Sequence, residues 1–267
     1  MSAQSKLRLD QLLVDSGLAD TKTKAQALIM SGQVFVDGQL SDKSGRPTAE
    51  SAEILVKEAF PYVSRGALKV EKAFQEFGLD FTDKTICDIG SSTGGFTDFA
   101  LQHGAKKAFA IDVGTGQLAQ KIREDNRVVV MEKTDFRDVT LPEPIDMFVC
   151  DVSFISLKKI IPKIAALIMA QDVIPTVAEE SSLGRSLDAA RDDRGVDIIL
   201  LIKPQFEAGA KEVSRGKGVI RDEKLRLGIV EDIEAFAVEQ GFEICGLVES
   251  PITGAKGNVE YLLYLTA

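Results

Sequence analysis

Seven short apolar segments that favour strands follow one another beyond residue 84, and stretches with helical spacing separate most of them. They lie at 85–89, 107–111, 128–131, 147–150, 198–202, 242–248 and 259–265. Strands that alternate with helices predict a mainly parallel sheet covered on both faces. We therefore expect an α/β fold built on a doubly wound sheet of seven strands.

The first 60 residues follow a different pattern. Apolar residues at helical spacing predict two helices, of which the second ends at Gly32. The period then changes to two over 33–36, Asp37-Gly38 predicts a hairpin turn, and 53–56 predicts the returning strand. These features predict a small α+β domain.

Pro61 and a short polar stretch separate this domain from the rest of the chain. We expect a boundary near Phe60, with a small domain over 1–60 and a larger one over 61–267. Within the larger domain, 171–195 is polar and has no sustained period, which predicts a surface excursion.

The chain carries 41 acidic and 32 basic side chains, a formal net charge of −9. A nucleic-acid partner must therefore be bound by a local basic surface rather than by the overall field. The N-terminal residues contain no apolar stretch of secretory length, and charges interrupt every apolar run before membrane-spanning length. We expect a soluble, cytosolic protein.

Cysteine and histidine usage excludes several classes of site. The cysteines Cys87, Cys150 and Cys245 are far apart in apolar runs, so we expect reduced core thiols rather than a zinc or redox site. His103 is the only histidine, which argues against a Ser-His-Asp hydrolase. Gly104 follows it, and the pair predicts the end of a helix.

A glycine-rich loop, Gly90-Ser91-Ser92-Thr93-Gly94-Gly95, connects the first strand of the larger domain to a helix. Glycines let a backbone approach a ligand closely, and a helix N-terminus favours anionic groups. The spacing fits neither a nicotinamide dinucleotide site nor a nucleoside triphosphate loop. Asp112, at the end of the next strand, can accept hydrogen bonds from ribose hydroxyls.

This arrangement resembles the S-adenosylmethionine site of Rossmann-like methyltransferases. The resemblance also implicates Asp135, which follows the third strand where that class commonly reads the adenine. From the residues alone, a helix N-cap remains the alternative for Asp112 and Asp135. The predicted cofactor-binding residues are Asp88, Gly90, Ser91, Gly94, Gly95, Phe96, Asp112 and Asp135.

Two charged residues end neighbouring strands of the predicted sheet. Asp151 begins Asp-Val-Ser-Phe-Ile-Ser after the fourth strand, and Lys203 begins Lys-Pro-Gln-Phe-Glu after the next. Ligands of open α/β sheets bind at this edge. An ordinary solvated strand end is the alternative for each residue taken alone.

With these motifs the chain resembles, over essentially its whole length, the TlyA family of ribosomal RNA 2′-O-methyltransferases, which are relatives of FtsJ. The resemblance implies a Rossmann-like methyltransferase fold, S-adenosylmethionine as cofactor, and ribosomal RNA as substrate, with cytidines as the suggested targets. It also implies a catalytic Lys-Asp-Lys-Glu tetrad at Lys69, Asp151, Lys203 and Glu260. The pattern of the first domain is similar to the RNA-binding domain of the ribosomal protein S-four type.

Methyl transfer to a ribose requires removal of a hydroxyl proton, and we expect Lys203 to accept it. A cation at Lys69 favours the neutral amine, whereas Asp151 and Glu260 oppose this effect, so the sequence alone does not decide the balance. The reaction requires neither a metal nor a covalent intermediate.

Residues 1–60 carry seven basic and eight acidic side chains, a net charge of −1, which argues against strong RNA binding by this domain alone. A second basic region begins at 211 and follows the Lys203 strand closely; a solvated, charged helix is the equally weighted alternative. The residues that we expect to contact RNA phosphates are Arg8, Lys22, Lys24, Arg65, Lys211, Arg215 and Lys217.

Three other functions are alternatives for this sequence. A base methyltransferase is disfavoured because the fourth strand ends in Asp-Val-Ser-Phe rather than Asn-Pro-Pro-Tyr. A membrane-active haemolysin, a name attached to the family, is disfavoured because the sequence has no apolar segment of membrane-spanning length. A catalytically silent RNA-binding protein would bind RNA without consuming cofactor.

Overall fold

The computed structural model describes residues 6–30, 32–57, 60–171, 195–254 and 256–267. The chain divides into two compact units, Met1–Pro61 and Tyr62–Ala267. The surface excursion expected at 171–195 falls, over 172–194, outside the described residues. No helix within the described ranges combines the length and the apolar character needed to cross a membrane.

The first unit packs two helices against short strands. Strand β2 lies between β3 and β5 and is antiparallel to both, while β1 pairs with β4. Leucine, isoleucine and alanine side chains of the helices form its core with two valines of β2. The elements are β1 (Lys6–Arg8), α1 (Leu9–Asp15), α2 (Lys22–Met30), β2 (Val34–Val36), β3 (Gln39–Leu40), β4 (Pro47–Ala49) and β5 (Ile54–Val56).

The predicted hairpin turn is present, but its returning strand is a different one. Asp37 and Gly38 have φ values of 50° and 76°, as a two-residue hairpin turn requires. The turn leads directly into β3, and β5 pairs with the other side of β2. The strand predicted at 53–56 is present as β5 and pairs antiparallel with β2, but the turn does not lead into it. The strand after the turn, β3, was not predicted, because it spans only two residues and has no periodicity to detect.

The second unit contains the predicted seven-stranded sheet, in the order β11-β12-β10-β9-β6-β7-β8. Strand β12 is antiparallel to β10 and β11, and the pairs among β6 to β10 are parallel. The strands are β6 (Thr85–Ile89), β7 (Lys107–Asp112), β8 (Val128–Glu132), β9 (Met147–Cys150), β10 (Asp197–Ile202), β11 (Glu243–Glu249) and β12 (Tyr261–Thr266).

Helices cover both faces of this sheet, which confirms the doubly wound α/β class. Alternate residues of one strand point to opposite faces: Ile86 packs with α3 and α4, whereas Cys87 packs in the cluster that contains α6 and α9. The helices are α3 (Ala67–Phe77), α4 (Gly95–Gln102), α5 (Gln120–Arg123), α6 (Ile161–Gln171), α7 (Pro204–Glu207), α8 (Ala210–Arg215) and α9 (Glu223–Glu239).

Two of the three cysteines lie in the core, as predicted, and one does not. Cys87 and Cys150 are buried on central strands, but Cys245 is exposed. Its strand, β11, is at the edge of the sheet, so an apolar stretch of sequence does not imply burial there. His103 ends α4 before Gly104, whose φ is 95°, and its ring stacks on Phe99 with centroids 3.9 Å apart.

Candidate active site

The topology brings the four predicted tetrad residues to one edge of the sheet. Asp151 follows β9 and Lys203 follows β10, so both lie at the carboxyl ends of parallel strands. Because β12 runs antiparallel, its first residues lie at the same edge: Ile202 pairs with Tyr261, directly after Glu260. Lys69 comes from the first turn of α3, which packs on the sheet.

The tetrad forms a chain of alternating charges. Glu260 Oε2 lies 3.0 Å from Lys69 Nζ, and Lys69 Nζ lies 3.1 Å from Asp151 Oδ2. The second oxygen of the same carboxylate, Asp151 Oδ1, lies 2.5 Å from Lys203 Nζ. Lys203 Nζ also donates to Ser153 Oγ at 2.8 Å. Each oxygen of Asp151 therefore contacts a different lysine.

The two lysines have different electrostatic surroundings. Burial opposes the charge on Lys69, but Asp151 and Glu260 outweigh burial and raise the pKa of Lys69 above its ordinary value. Burial likewise opposes ionisation of Asp151, yet Lys203 and Lys69 together lower the pKa of that carboxyl. Lys69 contacts two carboxylates and Lys203 contacts one carboxylate and one hydroxyl. Lys69 is therefore held as a cation.

A cavity of about 780 Å³ adjoins the tetrad. Its volume is in the range of small-molecule and cofactor sites. All four tetrad residues line it, together with much of the glycine-rich loop, so the site combines a ligand-sized space with titratable groups. Five predicted cofactor residues also line it: Asp88, Gly90, Ser91, Gly95 and Phe96.

Glycine is required in the loop by neighbouring parts of the protein itself. Gly90 has a φ of 83°, and a Cβ on it would lie 2.8 Å from the backbone oxygen of Asp151. A Cβ on Gly95 would lie 2.4 Å from Ser64 Oγ and 2.9 Å from the backbone nitrogen of Ala67. All three distances are shorter than van der Waals contact, so the loop lies directly against the segments that carry the tetrad.

Asp88 is a buried acid with one unused oxygen. Its Oδ2 accepts hydrogen bonds from Thr97 N at 3.1 Å and Thr97 Oγ1 at 2.6 Å. Its Oδ1 is buried and has no hydrogen-bond partner among the described residues. Burial raises the pKa of Asp88 to about 7. Because Asp88 lines the cavity, the unused oxygen is available to a donor group of a ligand.

The other three predicted cofactor residues do not line this cavity. A Cβ on Gly94 would lie 2.8 Å from the side chain of Leu118. Asp112 accepts hydrogen bonds from the backbone N–H of Ser92 at 2.8 Å and of Gly114 at 2.7 Å, so it braces the loop rather than capping a helix.

Asp135 is the N-cap of a short 3-10 helix, Phe136–Asp138, and forms a two-point ion pair with Arg137. That guanidinium lowers the pKa of Asp135 to about 2. The alternative of a helix cap therefore describes its side chain, and its role in reading the adenine stays a prediction.

The structure adds residues that sequence reasoning did not single out. Ser153 and Phe154 follow Asp151 in the same motif. Their closeness to Asp151 in the sequence is the signal that could have identified them as site residues. The ring of Phe154 is 90 % exposed, its φ is 64°, and it pairs with Phe206 at 4.8 Å. Gln205 Nε2 donates to Glu260 Oε1 at 3.2 Å.

Asn258 was also missed. Its side chain is buried, donates to Gly218 O at 2.9 Å and accepts from Ile220 N at 3.0 Å. These two bonds fasten the loop around Lys217 to the segment that leads to Glu260. Neither distance could be inferred from sequence, because the partners are about 40 residues apart.

The predicted RNA contacts are mostly exposed, and some are already paired. In the first unit, Lys22 is exposed, Lys24 pairs with Asp20, and Arg8 forms a two-point ion pair with the buried Asp10. This guanidinium holds the pKa of Asp10 well below its usual range. Arg8 therefore offers less free charge than its type suggests.

In the second unit, Arg65 precedes α3 and Lys217 follows α8, and both are exposed. Lys211 and Arg215 belong to α8, but their side chains lie outside the described part of the structure. Lys256, which lines the cavity, lies beside Gly218, the residue after Lys217: its Nζ is 3.3 Å from the position that a Cβ on Gly218 would take. The contacts of all seven residues with RNA stay predictions.

A seven-stranded sheet with β12 antiparallel, a glycine-rich loop after β6 and a tetrad at the adjoining edge defines a methyltransferase of the Rossmann-like class. The model of the FtsJ-like methyltransferase family matches residues 62–267, and that of the S4 domain matches residues 7–54. This chain belongs to the FtsJ-like methyltransferase family and carries an S4 domain before it.

Individual relatives are similar over nearly the whole chain. YqxC of Bacillus subtilis is 44 % identical, and the match covers 97 % of this chain and 85 % of YqxC. The 16S/23S rRNA (cytidine-2′-O)-methyltransferase TlyA of Mycobacterium tuberculosis is 37 % identical, with 97 % and 90 % covered. A solved structure of a hemolysin candidate from Streptococcus thermophilus is 38 % identical, with a TM-score of 0.66 and coverage of 99 % and 89 %.

Proposed function

We propose that this methyltransferase uses S-adenosylmethionine to methylate a ribose 2′-hydroxyl of ribosomal RNA, at a cytidine. The observation that carries the proposal is the alternating tetrad, in which one lysine is fixed as a cation and the other lies beside a cavity with a single carboxylate partner. A base methyltransferase acting on an exocyclic amine has no need of such an arrangement. The cytidine rests on the name of the related M. tuberculosis enzyme.

The residues around the cavity fit S-adenosylmethionine. The unused, buried oxygen of Asp88 matches the ammonium group of the methionine moiety. Gly90, Ser91, Gly95 and Phe96 would hold the cofactor along the loop, where side chains larger than glycine have no space at Gly90 and Gly95. When bound, the cofactor supplies an electrophilic methyl group on a sulfonium.

The protein must align the ribose hydroxyl with that methyl group and remove its proton. Lys203 Nζ is suited to accept the proton because it contacts one carboxylate oxygen and lines the cavity. Lys69 keeps its own proton between Asp151 and Glu260. It therefore acts as a fixed positive charge that orients Asp151, and through it Lys203.

Two features support an RNA substrate. The exposed Phe154 ring, paired with Phe206 at the edge of the cavity, offers a flat apolar surface on which an unstacked base can lie. The first unit, as an S4 domain, adds a separate surface for RNA. In this proposal, the S4 domain delivers the RNA substrate to the methyltransferase domain.

The test is methylation of ribosomal subunits that lack the modification, prepared from a strain in which the gene is deleted. The purified full chain, with labelled S-adenosylmethionine, should introduce methyl groups that protect single phosphodiester bonds from alkaline hydrolysis, because a 2′-O-methyl group blocks attack by the hydroxyl. Asp151→Asn is the control and should introduce none. Label on a nucleobase, or RNA binding without consumption of cofactor, would refute the proposal.

A further inference from the structure

Ser153 stands out because it contacts the reacting lysine without belonging to the tetrad. Its Oγ accepts a hydrogen bond from Lys203 Nζ at 2.8 Å, and both residues line the cavity. Ser153 is two residues beyond Asp151, whose Oδ1 lies 2.5 Å from the same nitrogen. The short loop after β9 therefore presents two acceptors to one amine.

Two acceptors are what a neutral amine needs to be oriented. A neutral lysine nitrogen has two N–H bonds and one lone pair, arranged tetrahedrally with its carbon. If Asp151 Oδ1 and Ser153 Oγ accept the two N–H bonds, the lone pair can occupy only the remaining position. Without Ser153, only the N–H bond to Asp151 is held, so the second N–H bond and the lone pair can exchange places by rotation about the Cε–Nζ bond. The lone pair then has no single direction.

A hydroxyl also holds the amine without adding negative charge. Lys69 shows the other case, since two carboxylates raise its pKa and keep it protonated. Lys203 has a serine where Lys69 has its second carboxylate. Lys203 is thus held by two side chains, of which only one is charged.

We propose that Ser153 is a positioning residue that directs the lone pair of Lys203 toward the ribose hydroxyl. This inference rests on the proposed function. In the step it serves, the ribose O–H bond breaks and its proton goes to Lys203 Nζ. The oxygen electron pair forms the new O–CH₃ bond, and the electron pair of the broken C–S bond stays on sulfur.

The experiment compares three variants of the full chain: Ser153→Ala, Ser153→Thr and Ser156→Ala. Ser156 is the matched control, because it lies in the same loop but does not contact Lys203. Its hydroxyl donates to Glu207 Oε2 at 2.5 Å and accepts from the backbone N–H of Lys158 at 3.2 Å. Single-turnover rates on ribosomal subunits and calorimetric affinities for S-adenosylmethionine are measured for each. Thermal unfolding reports on the integrity of the loop.

Ser153→Ala should lower the single-turnover rate about 10- to 100-fold, the range expected for a misplaced reacting group, with cofactor affinity and unfolding temperature nearly unchanged. Ser153→Thr, which keeps the hydroxyl, should recover most of the rate, and Ser156→Ala should lose little.

An Ala variant within about twofold of the wild type, or a Thr variant no faster than Ala, would overturn the positioning role. Equal losses of rate, affinity and stability would assign Ser153 a structural role instead. A wild-type chain that methylates no ribose would refute the proposed function itself, and this inference with it.

Discussion

Replacing Lys203 by arginine separates proton acceptance from simple positive charge. A guanidinium can still pair with Asp151 Oδ1 but stays protonated at neutral pH and cannot accept the ribose proton. Lys69 cannot substitute, because its two carboxylate partners keep it charged. The full contribution of a positioned base, about 100- to 10,000-fold, should therefore be lost. At about 1.4 kcal/mol per tenfold, this raises the barrier by about 3 to 5 kcal/mol.

The assay is single turnover of labelled methyl groups onto ribosomal subunits at saturating cofactor, so that weakened binding does not contribute. Lys69→Arg is the matched control, since an arginine there preserves a cation between Asp151 and Glu260. It should retain clearly more activity than Lys203→Arg, although the larger side chain must fit a site where Lys69 is only 10 % exposed.

A Lys203→Arg enzyme within about tenfold of the wild-type rate would refute the reasoning, because the expected loss for a base begins at about 100-fold. Lys203 would then act as a fixed charge, and the base would have to be sought elsewhere. Calorimetry should show that both arginine variants bind S-adenosylmethionine with nearly unchanged affinity; a large loss would instead point to a disrupted cavity.

Three further predictions concern the cofactor loop. Because burial raises the pKa of Asp88 to about 7, cofactor affinity should increase between about pH 6 and pH 8 as the carboxylate ionises. Asp88→Asn should bind the cofactor more weakly and without this pH dependence. A calorimetric affinity for the wild type that does not change with pH would contradict this prediction. Gly90→Ala should lower the free energy of unfolding by about 1 to 3 kcal/mol in denaturant titrations, because the φ of Gly90 is 83° and a Cβ there would lie 2.8 Å from the backbone oxygen of Asp151. Unchanged stability would argue against this strain. Asp112→Ala should weaken cofactor binding by about 1 to 3 kcal/mol, since two loop N–H groups lose their acceptor; an equal dissociation constant would remove Asp112 from the site.

Much of the larger unit could be predicted because its strands are buried on both faces. Runs such as Ile198–Ile202 are continuously apolar, so the alternation of strands and helices is visible in the sequence. The sequence patterns that predict strands and burial are weaker where strands are short or only partly buried. Strand β3 has two residues, and Cys245 is exposed on the edge strand β11. Whether a strand lies at the edge is a property of the assembled sheet, and no local sequence pattern indicates it.

The site residues likewise include some that the sequence alone predicts and some that it does not. Asp151 and Lys203 could be predicted from residues alone, because each follows an apolar strand and such ends share one edge of the sheet. Lys69 and Glu260 could be assigned only through the family resemblance, since their 3.0 Å contact joins positions that are 191 residues apart. The partners of Asp135 and Ser153 depend on side-chain geometry within short turns, where sequence indicates proximity but not contact.

The four tetrad residues come from distant parts of the sequence, and the enzyme can act only after all four have come together. Its most buried carboxylate, Glu260, directly precedes β12, and β12 lies between β10 and β11 in the sheet. A chain still being synthesised therefore has no complete tetrad until the residues of β12 have emerged and paired. Domains fold as units during synthesis, so the tetrad becomes complete in one step, when β12 pairs with β10 and β11.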